Sequence, residues 1–169
     1  MSALEAVDLD RWAYEQVDMA PHYRTLIRYA RQCHTIVEWG VRGGVSTWAF
    51  LEGLPADGRL YSVDILDCVV PYAVSSDPRW TFIIGDDLDS VVQAQLPDLA
   101  DLVFIDTDHT YEQTVGELAY AATFGPRRIV LHDYVMEPVG RAVDEFCAAS
   151  DWRMIANELP FGLATLVRS

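Results

Sequence analysis

Lysine is absent from this chain: all 12 of its Lys-or-Arg positions are arginine. That excludes Schiff-base chemistry, a lysine general base and the lysine of a phosphate-binding P-loop. Positive charge is scarce altogether. Against 26 acids the formal net charge is −14, and nucleic-acid binders need basic patches that displace counterions, so nucleic acid is not an expected partner. The balance suits a neutral or cationic small ligand, or simply solubility. Cysteine is sparse too. Cys33, Cys68 and Cys147 are odd in number and lack metal-ligand spacing, so they read as buried free thiols rather than a disulfide framework. No apolar run reaches the roughly 18 residues of a membrane span. The opening Met1-Ser2-Ala3-Leu4-Glu5 lacks the basic-then-apolar order of a secretory leader, and a cytoplasmic setting is the expectation.

What the chain does contain is a regular alternation. At 169 residues and 51% hydrophobic content, one domain with a sizeable core is expected, with a helical cap over 1–33 and a core over 34–169. In the cap, a short helix is expected from Leu9 to Gln16, carrying Trp12 and Tyr14. A second runs from Pro21 to Gln32, with Pro21 at its first position and Tyr23, Leu26, Ile27 and Ala30 on one face. Strands are then expected at Thr35–Trp39, Leu60–Asp64, Thr81–Ile84, Leu102–Asp106 and Arg128–His132. Helices fall between them near Val45–Leu51, Leu88–Ala94 and Tyr111–Thr123, and another covers Val139 to Ala148. In the Tyr111–Thr123 helix, Thr110 and Gln113 read as a capping box, with Val115, Leu118, Ala119 and Ala122 on one face. Short apolar strands separated by helices imply a parallel sheet covered on both faces, an α/β fold. The final runs, Trp152–Glu158 and Phe161–Val167, read instead as an antiparallel hairpin at the sheet edge.

In open α/β sheets, ligands bind outside the carboxyl ends of the strands. The first such end reads Glu38-Trp39-Gly40-Val41-Arg42-Gly43-Gly44-Val45-Ser46: a strand, a glycine turn and a helix start. Gly40 can take the positive φ of a tight turn, and Gly43-Gly44 allow close approach to a ligand, which the opening N–H groups of the helix would face. Glu38 at this strand end would repel a pyrophosphate but suits a cationic or hydroxyl-rich ligand. Every later parallel strand also delivers acids to this edge: Asp64, then Asp86 and Asp87, then Asp106 and Asp108 with His109, then Asp133 after His132. Asp64 lies about twenty residues past the glycine turn, where a carboxylate can accept both hydroxyls of a ribose. One acid of the Gly85-Asp86-Asp87 turn can meet an adenine amino group, and Asp87 can equally cap the helix that follows. Asp106 and Asp133 end neighbouring strands about 4.8 Å apart, so they can share Mg²⁺ or another hard divalent ion, or stand as a metal-free pair. His132 is then a third ligand, an orienting group or a semi-buried histidine. His109, with an ordinary pKa of about 6.5, can take a proton from a hydroxyl or merely order its loop.

This ordered set resembles the class I S-adenosylmethionine-dependent methyltransferases. Glu38-x-Gly40-x-x-x-Gly44, Asp64, Gly85-Asp86, Asp106 and the terminal hairpin carry the resemblance. More closely, Phe104-Ile105-Asp106-Thr107-Asp108-His109-Thr110-Tyr111 and Val130-Leu131-His132-Asp133 are similar to a group of bacterial small-molecule O-methyltransferases, which read F-I-D-G-D-H-S-Y and then H-D. The resemblance implies a Rossmann-like, doubly wound, mostly parallel seven-stranded sheet. It also implies S-adenosylmethionine as cofactor and a hydroxyl of a sugar, phenol or natural product as acceptor. Glu38, Gly40 and Gly44 would hold the methionine part, Asp64 the ribose and Asp86 the adenine, with Val41, Ser46, Ile65, Gly85 and Asp87 completing the cofactor set. In catechol-type relatives two aspartates and an asparagine bind Mg²⁺, and a lysine is the base. Here Asp106 and Asp133 match the aspartates, Tyr134 replaces the asparagine, and His109 replaces the lysine. The implied catalytic pair is His109 and Asp106; the implied metal set is Asp106, Asp133 and His132. Two other readings stay open: a nicotinamide-dependent oxidoreductase on the same fold, and a binding protein that keeps the pocket without turnover. The N-terminal helices offer a surface for a homodimer.

Overall fold

The computed structural model describes residues 18–169. The helix expected at 9–16 lies outside the described residues. The strands are β1 (Thr35–Trp39), β2 (Arg59–Asp64), β3 (Trp80–Ile84), β4 (Leu102–Ile105), β5 (Arg128–Leu131), β6 (Trp152–Glu158) and β7 (Leu163–Arg168). They form one seven-stranded sheet in the order β3-β2-β1-β4-β5-β7-β6. β1 to β5 pair in parallel, β7 runs antiparallel to β5, and β6 antiparallel to β7. The Rossmann-like, doubly wound arrangement is therefore present, with one detail the pattern did not carry. The later strand of the hairpin is the inner one.

The helices are α1 (Tyr23–Ala30), α2 (Val45–Gly53), α3 (Tyr72–Ser75), α4 (Ser90–Gln93), α5 (Tyr111–Thr123) and α6 (Glu137–Ala149). The central strands are apolar on both faces, so successive residues serve opposite cores. In β1, Ile36 joins a cluster with Leu26 of α1 and Phe50 of α2, while Val37 and Trp39 face the cluster of α5 and α6 around Leu118 and Val143. β4 alternates likewise, Phe104 on the first side and Ile105 on the second. Phe50 and Phe104 meet edge to face, ring centres 5.4 Å apart. Glu38 shares the face of Ile36 and therefore points under α2.

Several local expectations need correction. The Pro21 region opens as a 3₁₀ turn, Ala20–His22, before α1 begins at Tyr23. α4 is capped by the Asp89 side chain, which accepts from the Val91 N–H, so Asp87 is not a cap. Thr110 makes no side-chain cap bond and Gln113 does not reach back to it, so the capping box is absent. α5 buries Thr114, Glu117, Leu118 and Ala121, while Val115 is 40% exposed. The buried stripe is thus rotated from the apolar one, because a glutamate occupies it. Cys33 alone is buried; Cys68 and Cys147 are half-buried, and all three are free. Burial pushes the Cys33 and Cys68 thiols up to about 12, which leaves them unreactive. No helix among the described residues is long and apolar enough to cross a membrane.

Candidate functional site

The strand order reverses between β1 and β4, and the carboxyl ends of the strands on either side of that point frame a crevice. The turn after β1 explains its glycines. Gly40 has φ +86°, and a Cβ there would lie 1.8 Å from the Asp106 carbonyl oxygen. The residue must be glycine for β1 and β4 to end side by side. Gly44, at φ +83°, caps α2, and its missing Cβ makes room for Val70. Among the described residues nothing lies within 4 Å of a Cβ placed on Gly43.

Glu38 is wholly buried beneath this turn and does not line the cavity. Its carboxylate accepts from the hydroxyls of Ser46 (2.6 Å), Thr47 (2.8 Å) and Ser62 (2.5 Å). Burial pushes its carboxyl up to about 7 in spite of those donors. Glu38 therefore ties β1, β2 and the first turn of α2 together. Ser46 spends its hydroxyl on the same task, and Val41 and Ser46 border a shallow recess beside Met19, Arg42 and Asp106.

A cavity of about 520 Å³ opens along the strand ends, within the usual range for small-molecule sites. Gly40, Arg42, Asp64, Ile65, Leu66, Gly85, Asp86, Asp87, Asp106, Thr107, Asp108 and Gln113 are among its walls. Among the described residues Arg42 is the single cation in that lining, and it is paired with Asp18 at 2.6 Å. Asp64 Oδ2 accepts from the backbone N–H groups of Val41 (2.8 Å) and Arg42 (3.1 Å), and Oδ1 from Leu66 (2.9 Å). Burial works to raise its carboxyl, but those backbone donors outweigh it and keep it below its ordinary value. The result is a fixed, ionised acceptor. Ile65 and Leu66, 71% and 66% exposed, form an apolar shelf beside it.

At the far wall Asp86 closes an Asx turn onto the Leu88 N–H, while Asp87 turns inward to 5% exposure. Asp87 meets two residues absent from the expected site, Gln113 and Glu117. The amide Nε2 of Gln113 donates to Asp87 Oδ1 (3.1 Å) and to Glu117 Oε1 (3.1 Å). Thr114, Glu117, Leu118 and Ala121 follow helical spacing. An acid inside that stripe was the available signal.

The last cluster stands at the ends of β4 and β5. Their register pairs Ile105 with Leu131, so Asp106 and His132 come next, side by side, and Asp133 follows at φ +56°. Such left-handed backbone on a non-glycine residue is strained and concentrates at functional sites. His132 Nδ1 lies 3.0 Å from Asp133 Oδ2 and 3.5 Å from Asp106 Oδ1. His109 Nε2 reaches over from the loop before α5 to 2.9 Å from Asp133 Oδ2 and 3.7 Å from Asp106 Oδ1. Burial opposes the charged His132 ring, yet the two carboxylates prevail and lift it to about 9. The same carboxylates, Asp106 first, raise His109. In return, although burial opposes it, His109 and His132 hold Asp106 well below the usual carboxylate range. Ligand atoms of Asp106, His109 and Asp133 all lie within 4.8 Å of one another. Two carboxylates and one imidazole fit a hard divalent ion with open positions for water or substrate. His109 thus joins the aspartates as a candidate ligand, while His132, with a 1% exposed side chain, backs them from below.

Residues 37–134 match a family described as a methyltransferase domain. No curated protein sequence matches the chain. Among solved structures, the O-methyltransferase from Bacillus cereus in complex with SAH is 18% identical, with a TM-score of 0.70 over 99% of this chain and 94% of that one. Cofactor-bound Rv0187 from MTB is 18% identical, with a TM-score of 0.76 over 95% and 86%. The O-methyltransferase TomG from Streptomyces achromogenes, involved in tomaymycin synthesis and in complex with SAM, is 17% identical, with a TM-score of 0.71 over 99% and 92%. At such identities the likeness is one of fold.

Proposed function

Because the chain belongs to the methyltransferase-domain family, we propose that it transfers the methyl group of S-adenosylmethionine to a hydroxyl oxygen of a small molecule. The observation that carries this reading is the cavity along the strand ends, which has Asp64, a fixed acceptor suited to a ribose, in its wall and shares Asp106 with the cluster of Asp106, His109 and Asp133. Among the described residues its lining holds Asp64, Asp86, Asp87, Asp106 and Asp108 against Arg42, which suits a sulfonium cation and would repel the two phosphates of a nicotinamide dinucleotide. The apolar shelf of Ile65 and Leu66 suits one face of a purine.

S-adenosylmethionine supplies an activated methyl group whose transfer releases a neutral sulfide. The chain then has two tasks. It must hold the acceptor oxygen in line with that methyl, which is where most of the rate enhancement arises. It must also deal with the hydroxyl proton. His109, 36% exposed and facing the two aspartates, takes that proton, or else serves with Asp106 and Asp133 as ligand to a divalent ion that acidifies the hydroxyl. Gly40, Val41, Gly44 and Ser46 shape the methionine end, and Glu38 braces it from beneath. Gly85, Asp86 and Asp87 border the adenine.

Calorimetry with S-adenosylhomocysteine, followed by methyl-transfer assays on a panel of sugars and phenols, tests the reading. Binding and turnover are expected, and Asp64→Ala should cost about 1–3 kcal/mol of binding through its charge-assisted hydrogen bonds. Unchanged affinity in Asp64→Ala would refute the ribose assignment. Binding without turnover on any acceptor would leave a cofactor-binding protein, and no binding at all would end the cofactor reading.

A further inference from the structure

Gln113 sits in the first turn of α5, yet its amide is committed to the cavity wall. Its Nε2 hydrogens are taken by Asp87 Oδ1 and Glu117 Oε1, each at 3.1 Å. Glu117 Oε1 also accepts from the Thr107 hydroxyl. The outer oxygens of both acids are thus occupied by donors. The inner ones, Asp87 Oδ2 and Glu117 Oε2, are buried without a donor among the described residues. Both carboxyls accept from the same amide nitrogen and so lie side by side, and one proton shared between them would supply the donor that the inner oxygens lack. Glu117 is 0% exposed and Asp87 5%, so the pair is largely shielded from bulk water. Two bare carboxylates here would bear both the burial penalty and their mutual repulsion. Burial above all lifts Asp87 to about 6 and Glu117 to about 8, in keeping with one shared proton at neutral pH. Among the described residues Asp86 and the Tyr120 phenol also face the pair; the charge of Asp86 is a further reason to retain the proton.

A pair in this state offers Gln113 two acceptors and no donor. The amide is therefore locked in one of its two orientations, with the nitrogen inward. Its carbonyl Oε1 is the free end of a side chain that lines the cavity, and among the described residues no hydrogen-bond donor reaches it. A fixed acceptor in the wall that adjoins Asp87 is the complement of an amino group on a heterocycle. Resting on the adenosyl-cofactor reading, we propose that the Gln113 carbonyl accepts a hydrogen bond from the exocyclic amine of adenine, and that the Asp87–Glu117 pair is the positioning device that aims it. Neither Gln113 nor Glu117 touches the transferred methyl; their work is base recognition.

The test compares S-adenosylhomocysteine with S-inosylhomocysteine, whose base carries an oxygen in place of the amine, by calorimetry at neutral pH. The wild type should prefer the adenosyl compound. Gln113→Met keeps the length but removes the acceptor, and the preference should shrink by roughly tenfold. Glu117→Gln brings an amide donor into the pair and allows Gln113 to turn, so the ratio should fall there too with Gln113 intact. The affinity ratio is the readout because a general loss of packing weakens both ligands alike. A wild-type ratio in Gln113→Met overturns the proposal, and a wild-type ratio in Glu117→Gln overturns the role of the pair. If circular dichroism shows Gln113→Met unfolded, Glu117→Gln decides the matter alone. Failure of the wild type to bind S-adenosylhomocysteine would overturn the cofactor reading and this proposal with it, a result distinct from an unchanged ratio.

Discussion

His109 faces two carboxylates, and a single side chain there cannot be both an open base and a metal ligand. His109→Ala should keep affinity for S-adenosylhomocysteine within about twofold and lose roughly 10²–10⁴ in turnover, read in methyl-transfer assays. A variant near wild-type rate would reduce His109 to a loop-ordering residue. Exhaustive chelation separates the two remaining roles. Turnover that survives it assigns His109 to proton removal, and turnover lost and then restored by Mg²⁺ assigns it to the ion. The residues at this fork were legible in the sequence because strand ends in an α/β fold converge on one edge, and Asp64, Asp106, His109 and Asp133 do converge. Glu38 was legible as special but not as buried. Its surroundings depend on how α2 packs over β1, and three hydroxyls from α2 and β2 occupy its oxygens. Glu117 is hidden for a related reason: the apolar periodicity of α5 marks only its hydrophobic members, while the buried face includes an acid that only its partners Thr107, Gln113 and Asp87 make tolerable.

At the level of elements, the turn from β1 to α2 makes the sharpest demand on the chain. Gly40→Ala would drive a methyl group to 1.8 Å from the Asp106 carbonyl oxygen, separating β1 from β4 where the site is built. A loss of more than about 4 kcal/mol in urea denaturation is expected. Gly43→Ala, with nothing among the described residues within 4 Å of the new Cβ, should be neutral or slightly stabilising, within about 1 kcal/mol. Equal effects of the two changes would contradict this account of the turn. The strands and longer helices were readable because their periodicities are strong; β1, β6 and α5 begin and end where the pattern places them. The short pieces were not. α3 carries no repeating apolar pattern in its four residues, and α4 is shorter than expected because Asp89, rather than an earlier residue, supplies the cap.

For the molecule as a whole, acidity and buried carboxyls act in the same direction. Glu38, Asp87 and Glu117 have folded-state values raised to about 7, 6 and 8, above their ordinary values. Each therefore contributes stability that is complete below its ordinary value and is lost as pH rises through the folded one. Asp64, Asp77 and Asp106 are lowered, and their contribution is lost instead as pH falls through the acid range. Thermal stability should peak near about pH 5 and decline towards pH 8. Self-repulsion from the −14 charge adds to the decline, but salt screens it and leaves the buried groups largely untouched. Glu117→Gln should flatten the part of the slope that persists at high salt, as followed by melting temperature; an unaltered slope would mean the pair carries no shared proton. The sheet order has a consequence for assembly. β6 emerges before β7 but joins the sheet only through β7, the strand that pairs with β5. Until β7 pairs, β5 offers a bare edge beside Asp133, the kind of edge on which chains pair wrongly. The Asp133 end of the proposed site is thus bounded by a seam that closes late, and slow folding or aggregation would begin there.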